Sequence, residues 1–215
     1  MKKIIIVRHG ETDWNNLNKI MGWHNRPLNS TGRQQARYLA YYLKEEYRID
    51  AIYSSDLQRA RETADIIHAL AYPAISKPVF SENLREQNQG KLEGLESSEI
   101  RSQYDLANMS FEEAFIKTPP EGESIKDFNE RIINYFNELL SSTTSQGILI
   151  VTHGGVCTQI LGHVKGWDPV KSILEIQQSN CCFNEIQYNP LTGKMRILRE
   201  NETVWGVFRE KVVQR

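Results

Sequence analysis

Two periods of apolar spacing alternate along this chain. Ile4-Ile5-Ile6-Val7 and Ile148-Leu149-Ile150-Val151 are short continuous apolar runs, the pattern of strands buried on both faces of a sheet. Ala51-Ile52-Tyr53 is a weaker third. Between the first and third runs, Ala36, Leu39, Ala40, Leu43 and Tyr47 recur at helical intervals behind Thr31 and Gln34, which have capping-box spacing. A second helix is expected to open near Asp56 and carry Ala60, Ala64, Ile67 and Leu70 inward. A third opens at Ser124 and carries Ile125, Phe128, Ile132, Phe136 and Leu139, and a last follows Gly155 with Val156, Ile160 and Leu161. Phe183 to Tyr188 and Met195 to Leu198, joined across Asn189-Pro190-Leu191-Thr192-Gly193, read as a hairpin. This alternation predicts an α/β fold, a three-layer α/β/α sandwich with a mostly parallel central sheet and an antiparallel C-terminal hairpin. Residues from about 94 to 123 have weak periodicity and the Pro119-Pro120 break, so an irregular, partly helical cap excursion is expected there.

Composition narrows this further. The 215 residues contain no Pro/Gly/Ser-rich or charge-block linker, which predicts one domain over 1–215. Hydrophobic residues at 40% and charged residues at 25% fit a soluble globular protein and leave no basis for a disordered or fibrous one. With 26 Lys plus Arg against 27 Asp plus Glu, no global basic field exists to draw in nucleic acid or anionic lipid, so any anion site is local. The apolar run after Met1-Lys2-Lys3 stops at Arg8, short of a secretory leader or a membrane span, and the expectation is a cytoplasmic protein with no membrane partner. Cys157, Cys181 and Cys182 have neither disulfide-framework nor zinc-site spacing and are expected to be reduced, partly buried thiols.

The chemistry gathers at strand ends. The first strand runs directly into Arg8-His9-Gly10-Glu11-Thr12, and the later one into Thr152-His153-Gly154-Gly155. Arg59 falls in the first helical turn after Ala51-Ile52-Tyr53. In open α/β sheets ligands bind in the crevice outside the carboxyl ends of the strands, so two histidines and two arginines converge by topology alone. Guanidinium forks suit phosphate oxygens, and a neutral imidazole nitrogen is a nucleophile near pH 7, so the set suits phosphoryl transfer through a covalent intermediate on His9. The flanking cations should also disfavour the imidazolium form of His9. A small Gly10 would let the backbone approach the phosphate closely. Glu11 and Thr12 are assigned to supporting the loop. Trp14 and Trp23 could line a pocket, whereas Tyr38, Tyr41 and Tyr42 are expected in the core. No GxxxxGK[ST] loop, DxD pair or HExxH run points to nucleotide or metal chemistry, so no cofactor and no metal are expected.

Arg8-His9-Gly10-Glu11-Thr12-Asp13-Trp14-Asn15, Gly22 through Pro27-Leu28, and Gly32 with Gln35-Ala36 form an ordered series with Ser54-Ser55-Asp56-Leu57-Gln58-Arg59-Ala60 and Thr63-Ala64. It continues through Leu84-Arg85-Glu86, Gly90, Glu93-Gly94, Pro120-Gly122-Glu123-Ser124 and Val151-Thr152-His153-Gly154-Gly155. From residue 3 to about 165 this series resembles the histidine phosphatase superfamily, also called the phosphoglycerate mutase-like family. The resemblance implies a phosphoglycerate mutase-like fold, His9 as nucleophile, and Arg8, Arg59 and His153 as holders of the phosphoryl oxygens. It places Asn15 at a phosphate contact, groups Gly22 with the phosphate-binding residues, and makes Glu86 the proton donor, a role the leaving alkoxide and then the attacking water both call for.

Mutases of the family are expected to read Glu-Arg-His-Tyr-Gly after the acid, where this chain has Glu86-Gln87-Asn88-Gln89-Gly90, and to carry an Arg-Arg pair that is missing between Gly94 and Pro119. The expectation is therefore a metal-independent phosphomonoesterase acting on a small phosphorylated metabolite. A phosphoglycerate mutase and a non-catalytic phospho-ligand-binding module are the alternatives. Met21 stands where relatives usually place Thr or Gln. An exposed sheet edge or the hairpin offers a surface for a homodimer, which nothing in the sequence requires.

Overall fold

A computed structural model describes residues 1–96, 98–100, 113 and 116–204. Strand β1 (Lys2–Arg8) sends alternate side chains into two separate cores, because successive residues of a strand point to opposite faces. Ile5 and Val7 join one cluster, Ile4 and Ile6 the other, all fully buried. The same division holds in the strand Gly147–Thr152, where Leu149 and Val151 face one core and Ile148 and Ile150 face its opposite. This explains why both runs are apolar without a break.

After β1 come a short helical turn α1 (Asp13–Asn16), α2 (Ser30–Glu46), β2 (Ala51–Ser55), α3 (Gln58–Ala71) and β3 (Val79–Ser81). The order then continues through α4 (Ile125–Ser142), β4 (Gly147–Thr152), α5 (Gly154–Lys165), α6 (Pro169–Glu175), β5 (Phe183–Tyr188) and β6 (Met195–Glu202). The six strands lie in the order β3-β2-β4-β1-β5-β6. The β3-β2, β2-β4 and β4-β1 pairs are parallel, while β5 joins β1 and β6 joins β5 antiparallel. Helices α2 and α3 cover one face through Leu39, Leu43, Ala64 and Ile67. On the other face α4 and α5 pack Phe128, Ile132, Phe136 and Ile160. The expected three-layer α/β fold with its C-terminal hairpin is the observed one. None of the described helices is long and apolar enough to cross a membrane.

Several local expectations change. Helix α2 is capped by Asn29, whose side chain accepts the Gly32 N–H at 2.8 Å, so Thr31 lies inside the first turn instead of capping it. Tyr42 packs against the core, but Tyr41 is 47% exposed and does not belong to it. The three cysteines are free thiols and more deeply buried than expected. Strand β3 is three residues long and gave no readable run, whereas α6 carries a signal that was there to read, Asp168 capping a helix with Pro169 at its start. Residues 97, 101–112, 114 and 115, within the expected cap excursion, lie outside the described residues.

Helix α4 buries Phe128 and Phe136 in the same core cluster as Ile148 and Ile150 of β4. Phe136→Ala is expected to lower unfolding stability by about 3–5 kcal/mol, measured by urea denaturation, because the cavity adds to the lost transfer free energy.

Candidate active site

The parallel register of β1 on β4 sets Arg8 opposite Thr152, so the next residue of each strand, His9 and His153, emerges side by side. The His9 N–H donates to the Thr152 carbonyl at 2.8 Å, and the two imidazoles meet edge-on with centroids 5.3 Å apart. Helix α3 brings Arg59 to the same edge, fully buried. Its Nε–H donates to His9 Nε2 at 3.2 Å, while Nη1 and Nη2 donate to the carbonyls of His24 and Gly22 at 3.0 and 2.7 Å. His9 Nδ1 lies 2.7 Å from the Gly10 carbonyl, which can only accept, so Nδ1 carries the ring proton. Nε2 is thereby the nitrogen with the lone pair, which accepts the Arg59 Nε–H here and becomes the reactive position once that donor turns to a bound phosphoryl oxygen.

Burial is the first cause that holds His9 well below an ordinary imidazole, followed by the charges of Arg59 and Arg8. The sequence expectation named the cations; the fold adds desolvation and ranks it higher. His153 is depressed in the same direction, again by burial first, then by Arg59 and His9. Its Nε2 meets the Ser55 hydroxyl at 2.8 Å, and Nδ1 is buried with no hydrogen-bond partner among the described residues. Arg59 itself is pushed down to about 10 by burial, partly offset by the Glu86 carboxylate, and stays charged at neutral pH.

A cleft of about 570 Å³ opens here, lined by Arg8, His9, Asn15, Gly22, Arg59 and Glu86 among others, and His153 sits buried against it. All seven predicted site residues therefore come together. Asn15 Oδ1 accepts from the Thr12 N–H, the Thr12 hydroxyl and the Asn180 amide, which leaves the Asn15 NH₂ as the end able to donate to a ligand. Gly22 adopts φ +45°, and an added Cβ would come within 2.2 Å of Glu93 Oε1, so its main value is to turn a carbonyl onto Arg59. Glu86 Oε2 accepts the Gly155 N–H at 3.1 Å, at the start of α5, and a Cβ on Gly155 would fall 2.2 Å from Glu86 Oε1. Met21 lines the cleft with its sulfur 3.3 Å from the Thr12 hydroxyl.

Gly10 differs from expectation. A Cβ there would strike the Gly32 carbonyl at 2.5 Å, so the small residue makes room for the start of α2, not for a ligand. Glu11 and Thr12 brace the loop as expected, with the Glu11 carboxylate taking Asn16 and Asn29 amides. Trp14 and Trp23 are absent from the cleft's lining; Trp14 packs on His24 and Arg26, and Trp23 Nε1 donates to the Glu86 carbonyl at 2.7 Å. Sequence reasoning missed the supports: Ser55 under His153, Gln178 whose carbonyl takes Arg8 Nη1, Asn180 behind Asn15, and Arg131 behind Glu86. Of these only Ser55 lay inside a motif. Among the described residues no group of three or more His, Cys, Asp or Glu is placed to hold a metal ion.

The set can neutralise a phosphoryl group with two guanidinium charges, attack it with a neutral imidazole and exchange a proton with a carboxyl group. Comparison with known proteins agrees in kind. The model of the histidine phosphatase superfamily (branch 1) matches residues 4–203. The 2,3-bisphosphoglycerate-dependent phosphoglycerate mutase of Cytophaga hutchinsonii is 32% identical over 79% of this chain and 80% of its own length. The uncharacterized phosphatase PhoE of Bacillus subtilis is 30% identical over 87% of this chain and 89% of its own. Among solved structures, Bacillus stearothermophilus YhfR superposes with a TM-score of 0.82 at 27% identity, over 95% of this chain and 99% of that one. The fold is phosphoglycerate mutase-like.

Both imidazoles are kept neutral in the fold, whereas in the unfolded chain they titrate near about 6.5. Below that pH the unfolded state binds more protons, so stability falls as the pH drops from about 6.5 toward the depressed folded values. The wild-type urea midpoint is expected to fall more steeply between roughly pH 7 and 5 than that of His153→Gln, which removes one of the two linked protons. Equal slopes would count against a neutral, buried His153.

Proposed function

We propose that this chain, which belongs to the histidine phosphatase superfamily, hydrolyses small phosphorylated metabolites as a metal-independent phosphomonoesterase. The observation that carries the reading is the fixed tautomer of His9, with Nδ1–H committed to the Gly10 carbonyl and Nε2 directed at the anion cradle. Nε2 attacks phosphorus in line; the bond to the ester oxygen breaks, and Glu86 gives that oxygen its proton. Water then attacks the phosphohistidine, Glu86 takes the proton back, and the imidazole leaves as the free base. Arg8, Arg59, the Asn15 amide and His153 hold the phosphoryl oxygens through both steps, with Gly22 fixing Arg59 from behind. Charge neutralisation falls to the two guanidinium groups, so these steps call on no metal or cofactor.

Cleavage is preferred over transfer to a phosphoglycerate because of the residues just after Glu86. Gln87 and Gln89, at the positions where a mutase would place Arg and Tyr, line the cleft as neutral amides, with Gln87 Nε2 on the Glu123 carbonyl and Gln89 Nε2 on Gln87 Oε1. Neither can give a substrate carboxylate a charged partner. The likeness to a mutase of Cytophaga hutchinsonii keeps the transfer reaction as the second reading.

Phosphate release from a panel of phosphomonoesters in the presence of EDTA is expected for wild type and lost in His9→Ala, with acid-labile, alkali-stable phosphate trapped on wild type alone. Activity retained in His9→Ala would overturn the mechanism. Interconversion of phosphoglycerates dependent on a bisphosphate primer, with no net release, would favour the mutase. Tight phosphate binding with no turnover of any ester would favour a binding module.

A further inference from the structure

We propose that Arg131 is the positioning residue for the proton donor, an inference that rests on Glu86 being the acid of the proposed reaction. Arg131 lies on α4 with its side chain 17% exposed, and its guanidinium is divided between two tasks. One edge forms a fork with the Glu123 carboxylate, Nε to Oε1 at 2.9 Å and Nη2 to Oε2 at 2.8 Å. The other points along the backbone that leads into the acid: Nη1 donates to the carbonyls of Asn83 and Arg85 at 3.0 and 3.1 Å, and Nη2 to the carbonyl of Glu86 at 3.2 Å. A planar, rigid fork of five donors can serve such a row, whereas an ammonium cannot.

Glu86 and its neighbours lie in a connection that follows the 3₁₀ turn Glu82–Leu84 and leaves regular structure, with the Arg85 φ/ψ extended. Among the described residues, the Glu86 carboxylate is held by the N–H groups of Gln87 and Gly155, both at 3.1 Å, so its place depends on where its own backbone is pinned. Trp23 reinforces the clamp: its indole N–H reaches the same Glu86 carbonyl as Arg131, and its ring packs beneath both Arg85 and Arg131. Glu123 completes the connection, since its own N–H donates to the Asn88 carbonyl at 2.8 Å and its carbonyl takes the Gln87 amide at 2.8 Å. The segment that returns through residues 116–122 to α4 is thus tied to the acid's loop at Glu123, and the Arg131–Glu123 ion pair holds that tie to the helix.

A strut that only stabilised the fold would affect every substrate alike. A strut that aims the acid matters most where the leaving group needs a proton. An alkoxide leaving from an alkyl phosphate needs one; nitrophenolate leaving from 4-nitrophenyl phosphate departs readily as an anion. The measurement is kcat/KM for glycerol phosphate and for 4-nitrophenyl phosphate, with wild type, Glu86→Gln, Arg131→Met and Arg131→Lys compared. This parameter reports the step in which the leaving group departs, not the later hydrolysis common to both substrates.

Arg131→Met is expected to shift the alkyl-to-aryl ratio by ~10-fold or more in the direction of the Glu86→Gln shift. Arg131→Lys keeps a cation for Glu123 and is expected to recover thermal stability without recovering the ratio. Where the methionine variant does not fold, the lysine variant carries the same comparison. Equal losses on both substrates, or an unchanged ratio, would overturn the proposal and leave Arg131 a structural strut. An unchanged ratio in Glu86→Gln would instead remove Glu86 as the acid, and the role of Arg131 with it, while loss of all release in His9→Ala would still stand.

Discussion

A guanidinium taken wholly out of water costs several kcal/mol unless its charge and its donors are matched, and Arg59 is in that position at 0% exposure. The carbonyls that match it come from Gly22 and His24, which can face it only because the chain turns left-handed at Gly22. That turn is itself held from beneath, where Glu93 Oε1 accepts the Trp23 N–H at 2.7 Å. One turn along α3, Thr63 receives the Gly10 N–H and donates to the Arg59 carbonyl, tying the loop after β1 to the helix that carries the cation. The path of residues 20–25 and the tie of the loop after β1 to α3 depend on satisfying this one buried charge, which adds to the burial that keeps His9 neutral.

The two halves of the candidate chemistry rest on opposite layers of the sandwich. His9 and Arg59 are braced from the α2 and α3 side, through Gly10 against Gly32 and through Thr63. Glu86 is braced from the α4 and α5 side, through Arg131 and the start of α5. The supports meet at the sheet edge, where Trp23, the neighbour of Gly22, spans them by donating its indole N–H to the Glu86 carbonyl.

Much of this was legible in the residues, and the reasons for success and failure are physical. The runs at Ile4 and Ile148 were readable because a strand buried on both faces has no polar positions to blur it. Arg8, His9 and His153 could be placed because they follow such strands directly. Ser124 as the cap of α4 was a local signal and was read correctly. Strand β3 was not, since three residues on a sheet edge with Val79 54% exposed carry no period. Glu86 and Asn15 were identified only by resemblance to a family, because residues in loops and short turns are positioned by distant partners. Asn180 and Arg131 are those partners, and a hydrogen bond between Asn180 and Asn15, far apart in the chain, leaves no trace in spacing. Gly10 was assigned the wrong neighbour for the same reason: which backbone a glycine admits is decided by tertiary packing.

The antiparallel pairing of β5 with β1 has a further consequence for how the chain acquires its shape. Strand β1 is made before the other strands and β5 after all of them but β6, yet β5 covers one edge of β1, and the residues just before it supply the carbonyl for Arg8 and the amide for Asn15. The other edge must wait for β4, which is also distant in sequence. During synthesis the N-terminal strand therefore emerges as a bare apolar ribbon with both edges open, the form most prone to pair with the wrong partner. Long-range closure of this kind is slow, so β1 stays unpaired until both β4 and the β5–β6 hairpin have been made.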